Sequence, residues 1–399
     1  MIDEAKARER RKRSLPTRLT DCLVLAMWLW REHGYEEVLR QLIDGLAWPG
    51  AEGDGPDEAD VAWSGSITRA RARLGPDPLR LMFARVADPT GGPEVPGCFW
   101  RGLRLSVIDG STMDVPDSDE NRAAFDGPSN DGGLGALPQV RLLVHAECGS
   151  KALLGAAFDG YRAAETVLAQ GVLDSFGPGM LKPPRKKDGD PITVRVIEYT
   201  VTTRDEHGEH HSELFCLATT LLDPEAWPIE QIPALYHERW RGETLLDVVK
   251  TDVHGGADVL LRSHSPAGAR QEMWALFCLY QALAHLVSDA ARHYRIDPDR
   301  ISFPRARNAA RRSAPRIQRT FSPSPDATRP RPARTIQPPS HQTTHQPQPH
   351  PRRSTRDTAG NPHDHHPPSQ ASTSHDRLRK RHYPSTPPGR SVRQLTSVP

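Results

Sequence analysis

Long apolar runs are missing from this 399-residue chain. None approaches the roughly 20 residues that a helix needs to cross a bilayer, so no membrane partner is expected. An excess of charge of one sign is also missing: 52 Lys and Arg face 50 Asp and Glu, a formal net charge of +2. A surface for a polyanion must therefore come from local clusters rather than from the total. Cysteine is sparse. Cys22, Cys98, Cys148, Cys216 and Cys278 make no C-x-x-C pair and no zinc spacing, which excludes a zinc-finger or disulfide scaffold. They read as reduced thiols of a cytoplasmic protein. No signal peptide is expected at the start, because the basic residues 6–13 precede an amphipathic run that Asp21 interrupts. Hydrophobic residues make up only 36% of the chain, low for a wholly globular one. The deficit lies at the far end: residues 315–399 hold 17 of the 38 prolines and 8 of the 18 histidines. Such a stretch cannot bury enough apolar surface to offset its ordering entropy, so residues 313–399 are expected to be a disordered Pro/Arg/His-rich tail.

What is present divides into blocks. Residues 1–14 form a basic terminus in which Arg8, Arg10, Arg11, Lys12 and Arg13 suit either DNA phosphates or plain solvation. Residues 15–95 read as an all-helical unit for DNA binding or dimerisation, with helices predicted near 19–30, 35–46, 66–74 and 78–87. Arg69, Arg71 and Arg73 alternate along the third of these and so spread around it rather than forming a stripe. A mixed core is predicted over 96–312. Strands are expected near 103–108, 140–146 and 152–158, then a helix near 163–176, two strands near 192–203 and 212–220, and a long apolar helix over 270–293. The Gly-rich loop over 126–135 lacks the Lys-Ser/Thr of a phosphate-binding loop. Glu206, His207, Glu209, His210 and His211 read as a hairpin loop without fixed ligand geometry rather than as a metal cluster.

Two stretches carry chemistry. The segment 235–250, LYHERWRGETLLDVVK, reads as one helix on which Tyr236, Arg239, Glu243 and Lys250 stand three, four and seven residues apart. These are near-multiples of the helical turn, so the four share a face. Alone, that face is equally a solvated stripe with a Glu–Arg pair. The second stretch, 105–112, is a short β-branched run that is expected to end at Asp109 and then turn. An Asp at the carboxyl end of a strand projects into the crevice where open α/β sheets bind ligands; it serves equally as a turn residue or helix cap. Together Asp109 and Glu243 would place two carboxylates around divalent cations, which prefer oxygen ligands.

On these residues the chain resembles bacterial insertion-sequence transposases of the DDE class, in the group with the Y-x2-R-x3-E-x6-K signature. Tyr236, Arg239, Glu243 and Lys250 carry the signature, and VIDGSTMDVPDSDEN over 107–121 looks like the segment bearing the first catalytic Asp. Leu15-Pro16, Gly34-Tyr35 and Ala72-Arg73-Leu74-Gly75 look like landmarks of the family's helical amino-terminal domain. The resemblance covers about residues 11–312. It implies an α/β fold with a ribonuclease-H-like catalytic core. It implies metal-dependent strand cleavage and transfer, with Mg²⁺ (or Mn²⁺), two per site in intact relatives. It implies double-stranded DNA as partner, as transposon inverted repeats and target, and a homodimer on that DNA in the bacterial cytoplasm at the nucleoid. Carried over, Asp109 and Glu243 are catalytic and metal-binding, and Tyr236, Arg239 and Lys250 contact DNA.

One segment departs from the family pattern. After Gly177-Pro178-Gly179-Met180-Leu181, where intact relatives run a strand ending in the second catalytic Asp, comes a basic Pro-rich stretch over 182–190. The core is thus expected to be truncated and this copy catalytically defective. Asp159 and Asp223 follow apolar strands, while Asp174, Asp188 and Asp190 lie nearest in sequence; none has the family context. The alternative function is a non-catalytic DNA-binding or dimerising protein that regulates an intact transposase. The tail reads as a frameshifted or unselected carboxyl terminus.

Overall fold

The structure, a computed structural model, describes residues 2–5, 15–45, 63–130, 133–135, 137–174, 193–204, 210–256, 259–313 and 392–395. The basic run 6–14, the stretch 175–192 with Asp188 and Asp190, the loop residues 205–209 and nearly all of the tail lie outside them. The chain is mixed helix and sheet and forms two compact units, Met1–Pro191 with Ala234–Pro338, and Ile192–Pro233 with Pro339–Pro399.

The first unit opens with helices α1 (Thr17–Leu29), α2 (Tyr35–Gly45), α3 (Ser64–Leu74) and α4 (Asp77–Val86), close to the predicted positions. Glu36 and Glu37 in the first turn of α2 complement its dipole, and Pro78 in the first turn of α4 costs no hydrogen bond there. Val24, Trp28, Leu74, Leu79 and Phe83 from these helices are buried with Met273, Phe277 and Tyr280 of α9 (Pro266–Tyr294). Helix α9, predicted from its apolar periodicity, is therefore the spine of the unit. Ser265 caps it by accepting from Gly268 N, and Arg295 in the left-handed region ends it.

Between α4 and α9 the short strands β1 (Phe99–Trp100) and β2 (Leu103–Arg104) precede β3 (Ser106–Asp114). Helix α5 (Asp119–Phe125) follows, started by Ser118, whose hydroxyl accepts from Asn121 N at 3.1 Å. A minimal pair β4 (Ser129–Asn130) and β5 (Gly133–Leu134) leads to β6 (Gln139–Glu147) and β7 (Leu153–Gly160), then α6 (Glu165–Asp174). The main sheet has the order β3-β6-β7, all antiparallel, with Asp109 opposite Val144 and Val144 opposite Ala156.

Here two expectations are corrected. Asp109 does not end its strand: Gly110 to Asp114 go on pairing with Leu143 to Gln139 of β6, so the carboxylate sits mid-strand. The 235–250 helix is not continuous either. It comprises α7 (Ile232–His237), α8 (Arg239–Asp247) and a π-helical turn, Val248–Val253. Glu238 N and Arg241 N bond three residues back, to Leu235 O and Glu238 O, at the first junction. Arg241 is drawn there by Glu238 at 2.8 Å and Asp299 at 2.9 Å. Burial works against the Arg241 charge, but Asp299, Glu238 and Asp297 together hold its pKa above the ordinary value.

The unit closes with a single 3₁₀ turn at Pro298–Arg300 and α10 (Phe303–Ser313), which seats Ala306 and Ala309 against Val287 and Ala291 of α9. The second unit holds the hairpin of β8 (Arg195–Arg204) and β9 (His210–Thr219), where Tyr199 stacks on Phe215. Strand β10 (Val392–Leu395) pairs antiparallel with β8. With Ser313, which ends α10, these four residues are the part of 313–399 that is described, and they complete a ladder on the edge of β8.

Candidate functional site

The site is built where β3 meets the α8 region. Side chains alternate along a strand, so Val107, Asp109, Ser111 and Met113 share one face of β3. Met113 is buried with Leu245, Leu246, Val249 and Met273, so this face turns toward α8, the π-helical turn and α9. The opposite face carries Gly110, and α6 covers it. A Cβ on Gly110 would sit 3.8 Å from the Glu165 carboxyl carbon, and Leu143, opposite Gly110, packs with Leu168 and Val172.

Asp109 is half-buried, and its Oδ1 accepts from Gly110 N at 2.9 Å. Two residues along the same face, Ser111 Oγ accepts from Lys250 Nζ at 3.0 Å. Residues two apart on a strand are about 7 Å apart, which brings the Lys250 ammonium into the neighbourhood of Asp109. The two motifs singled out in the sequence, 139 residues apart across this bond, are thus in contact. Ser111 as the partner of Lys250 was not anticipated, although it lies inside the DGST string.

On the amino-terminal side of α8, Arg239 lies 5.1 Å from the centre of the Tyr236 ring and 5.7 Å from that of Trp240. Both rings are exposed, 38% for Tyr236 and 40% for Trp240. Trp240 thus joins Tyr236 and Arg239 in an exposed cation–aromatic surface, a kind of platform on which bases can stack. Glu243 lies on α8 between this platform and Lys250; its side chain is outside the described residues.

Lys250 belongs to the π-helical turn, a geometry frequent at functional sites. The turn ends at His254, which is buried, and Gly255 N and Gly256 N both donate to Lys250 O. Burial, helped by the Arg31 charge, lowers the His254 pKa to about 4, so the ring is neutral at physiological pH.

The other candidate carboxylates are elsewhere. Asp159 lies three residues beyond the level of Asp109 and two strands away, about 10 Å along the sheet and about 10 Å across it. It alternates onto the α6 face and pairs with Arg270 at 3.0 Å. Asp223 caps a turn by accepting from Glu225 N and Ala226 N. Among the described residues no three His, Cys, Asp or Glu side chains gather where they could hold a metal ion.

Of the three helical arginines, Arg71 is buried. Its guanidinium donates to Gln271, Tyr35, Ser263 and Glu272, the last at 2.7 Å, so it fastens α3 to α9 rather than facing a ligand. Arg69 and Arg73 are exposed.

Residues 1–84 match the family described as insertion element 4 transposase N-terminal. Over 350 residues the chain is 23% identical to the transposase InsG for insertion sequence element IS4 of Escherichia coli (strain K12), covering 73% of this chain and 75% of that protein. Over 122 residues it is 34% identical to InsZ of the same organism, itself provisionally named a transposase; that stretch is 30% of this chain and 40% of InsZ.

Proposed function

From the chain's relation to the IS4-family insertion-sequence transposases, we propose that it binds the double-stranded DNA of transposon ends through the face formed by β3, α8 and the π-helical turn. The hydrogen bond from Lys250 to Ser111 carries this reading, because it joins the DGST strand to the Y-x2-R-x3-E-x6-K helix at one place. In this reading the three-stranded sheet with α6 and α9 on its two faces is the remnant of a ribonuclease-H-like core. The protein acts on inverted repeats, and as a homodimer.

Each residue has a physical task. Lys250 presents a point charge to a DNA phosphate next to Asp109, and Arg239 presents a planar fork held between two rings. Tyr236 offers its exposed ring edge and hydroxyl to the strand end. Asp109 keeps one carboxylate oxygen beyond its bond to Gly110 N, and it and Glu243 are the two carboxylates assigned to metal.

Two carboxylates suit one hydrated Mg²⁺ or Mn²⁺ that also binds substrate phosphate. They do not suit the two-ion clamp that in-line displacement at a phosphodiester uses, and among the described residues the sheet puts no further carboxylate on the Asp109 face, Asp159 lying on the opposite one. We therefore assign this copy end recognition without strand cleavage. A regulator of an intact transposase, competing for the same ends, is the role that such a protein would fill.

The test is a gel-shift titration on duplexes carrying the element's inverted repeats or a scrambled sequence. Preference for the repeats, weakened by Arg239→Ala and by Lys250→Ala in protein of unchanged melting temperature, is expected. Equal binding of both duplexes, or no binding, removes the reading.

A further inference from the structure

Guanidinium groups from three separate segments meet beside the π-helical turn. Arg31 follows α1, Arg262 precedes α9, and Arg307 and Arg311 lie on α10. Every one is fixed through a backbone carbonyl. Arg31 donates to Gly255 O at 3.3 Å, Arg262 to Arg31 O, Arg307 to Asp252 O and Arg311 to Leu29 O. A carbonyl orients a guanidinium but does not cancel its charge. Arg311 has a carboxylate, Glu32 at 2.6 Å. Among the described residues Arg31, Arg262 and Arg307 make no ion pair. Asp252 acts on Arg307, and Glu32 on Arg31, only through space.

The groups are placed rather than incidental. Gly255 has φ +107 and no side chain, and the Arg31 guanidinium occupies the space that a Cβ there would need. Arg262 lies 5.5 Å from the centre of the Tyr35 ring. Arg31 Nη1 and Arg307 Nε are shielded from solvent and have no acceptor, while the side chains as a whole are half-exposed. Burial and the charges of Arg307, Arg311 and Arg262 all press the Arg31 pKa below its ordinary value, against the pull of Glu32. Concentrated positive charge on half-exposed guanidinium groups without an ion pair is the charge that an external anion neutralises. His254 feels both Arg31 and Lys250, so the cluster adjoins the Lys250 end of the candidate site.

We propose that Arg31, Arg262 and Arg307, flanked by Arg311, form a second contact for the phosphodiester backbone of double-stranded DNA. It rests on the DNA-binding reading above and extends it: a duplex held at Lys250 would lay consecutive phosphates along the arginines. Arginine forks match phosphate oxygens, and the patch reads no bases, so it would set affinity and register rather than sequence preference.

The experiment uses the full chain and a fluorescein-labelled duplex of about 30 base pairs, three helical turns, of arbitrary sequence. Fluorescence anisotropy gives the association constant at a series of KCl concentrations. Each lost phosphate contact lowers the slope of log K against log salt by about 0.9. For the Arg31→Gln, Arg262→Gln, Arg307→Gln triple variant a slope shallower by about 2 to 3 is expected, with Arg307→Lys alone keeping the wild-type slope. Circular dichroism and melting temperature confirm folding, and single Gln variants, each about 1 shallower, serve if the triple variant does not fold. A wild-type slope in folded variants overturns the patch and leaves DNA binding at Lys250 standing. A wild-type protein that binds no duplex overturns both.

Discussion

Arg71→Ala is expected to destabilise the first unit while leaving DNA binding by the folded protein untouched. Arg71 is 5% exposed and Glu272 1%. Glu272 accepts from Arg71 at 2.7 Å, from Ser263 Oγ at 2.6 Å and from Arg262 N at 2.7 Å. Removing the guanidinium leaves a buried carboxylate with two neutral donors and no counter-charge, and it deprives Tyr35 and Gln271 of a partner. Breaking a buried pair from one side costs about 3 to 5 kcal/mol. Water admitted to the vacated space offsets part of this, so about 3 kcal/mol is expected, a large share of the roughly 5–15 kcal/mol that holds a native protein together. Urea unfolding followed by tryptophan fluorescence should show the midpoint falling with little change in slope. Arg71→Met combined with Glu272→Gln should be more stable than the sum of the single changes by at least about 1 kcal/mol, because the stranded charge is gone. A loss below about 1 kcal/mol for Arg71→Ala, or simple additivity in the double variant, would refute the role given to this pair. A shallower salt dependence of DNA binding in folded Arg71→Ala would move Arg71 to the DNA surface instead.

Three further outcomes are expected. His145 and His254 are held by burial at about pKa 4, below the 6.5 of an ordinary histidine, so the unfolded chain binds protons that the folded one refuses; stability should fall from about pH 6.5 down to about pH 4, read as melting temperature across that range. Asp21 has the opposite sign: burial raises its pKa to about 6, and its Oδ1 has no partner, so Asp21→Asn should raise the melting temperature at pH 7.5 and steepen the decline from pH 6 to 4; a lower melting temperature at pH 7.5 would contradict it. Gly255→Ala forces a side chain into a positive-φ position occupied by Arg31, and should cost about 1–3 kcal/mol and make the salt slope shallower by about 1; a variant as stable as wild type would show that Arg31 is not seated on Gly255.

Much of the architecture was legible because periodicity records burial directly. The amphipathic α2, the crowded α1 and the 29-residue α9 announce themselves by apolar spacing. The Asp109 strand was read too short because Gly110, Ser111 and Thr112 have turn chemistry, and pairing with the long β6 overrides it. The break at Glu238 was invisible because it depends on Asp297 and Asp299, which lie far along the chain. Helix α5 carried a local signal, Ser118 with Asp119 and Glu120, and was missed; α10 carried a weaker one, the Phe303, Ala306, Ala309 spacing. For the candidate site, the spacing of Tyr236, Arg239, Glu243 and Lys250 and the DGST string stand in the sequence as motifs, whereas the contact of Lys250 with Ser111 needed the fold. The arginine cluster was beyond sequence reading altogether, since Arg31, Arg262 and Arg307 share no segment and no spacing.

The most direct test is a nicking assay on supercoiled and linear DNA carrying the element's own inverted repeats, in Mg²⁺ and in Mn²⁺, with Asp109→Ala alongside. Wild-type protein is expected to protect the repeats from nuclease digestion and to leave every phosphodiester intact in either metal. Metal-dependent nicks at the repeat ends that vanish in Asp109→Ala would contradict it, and would mean that a carboxylate outside the described residues completes the site.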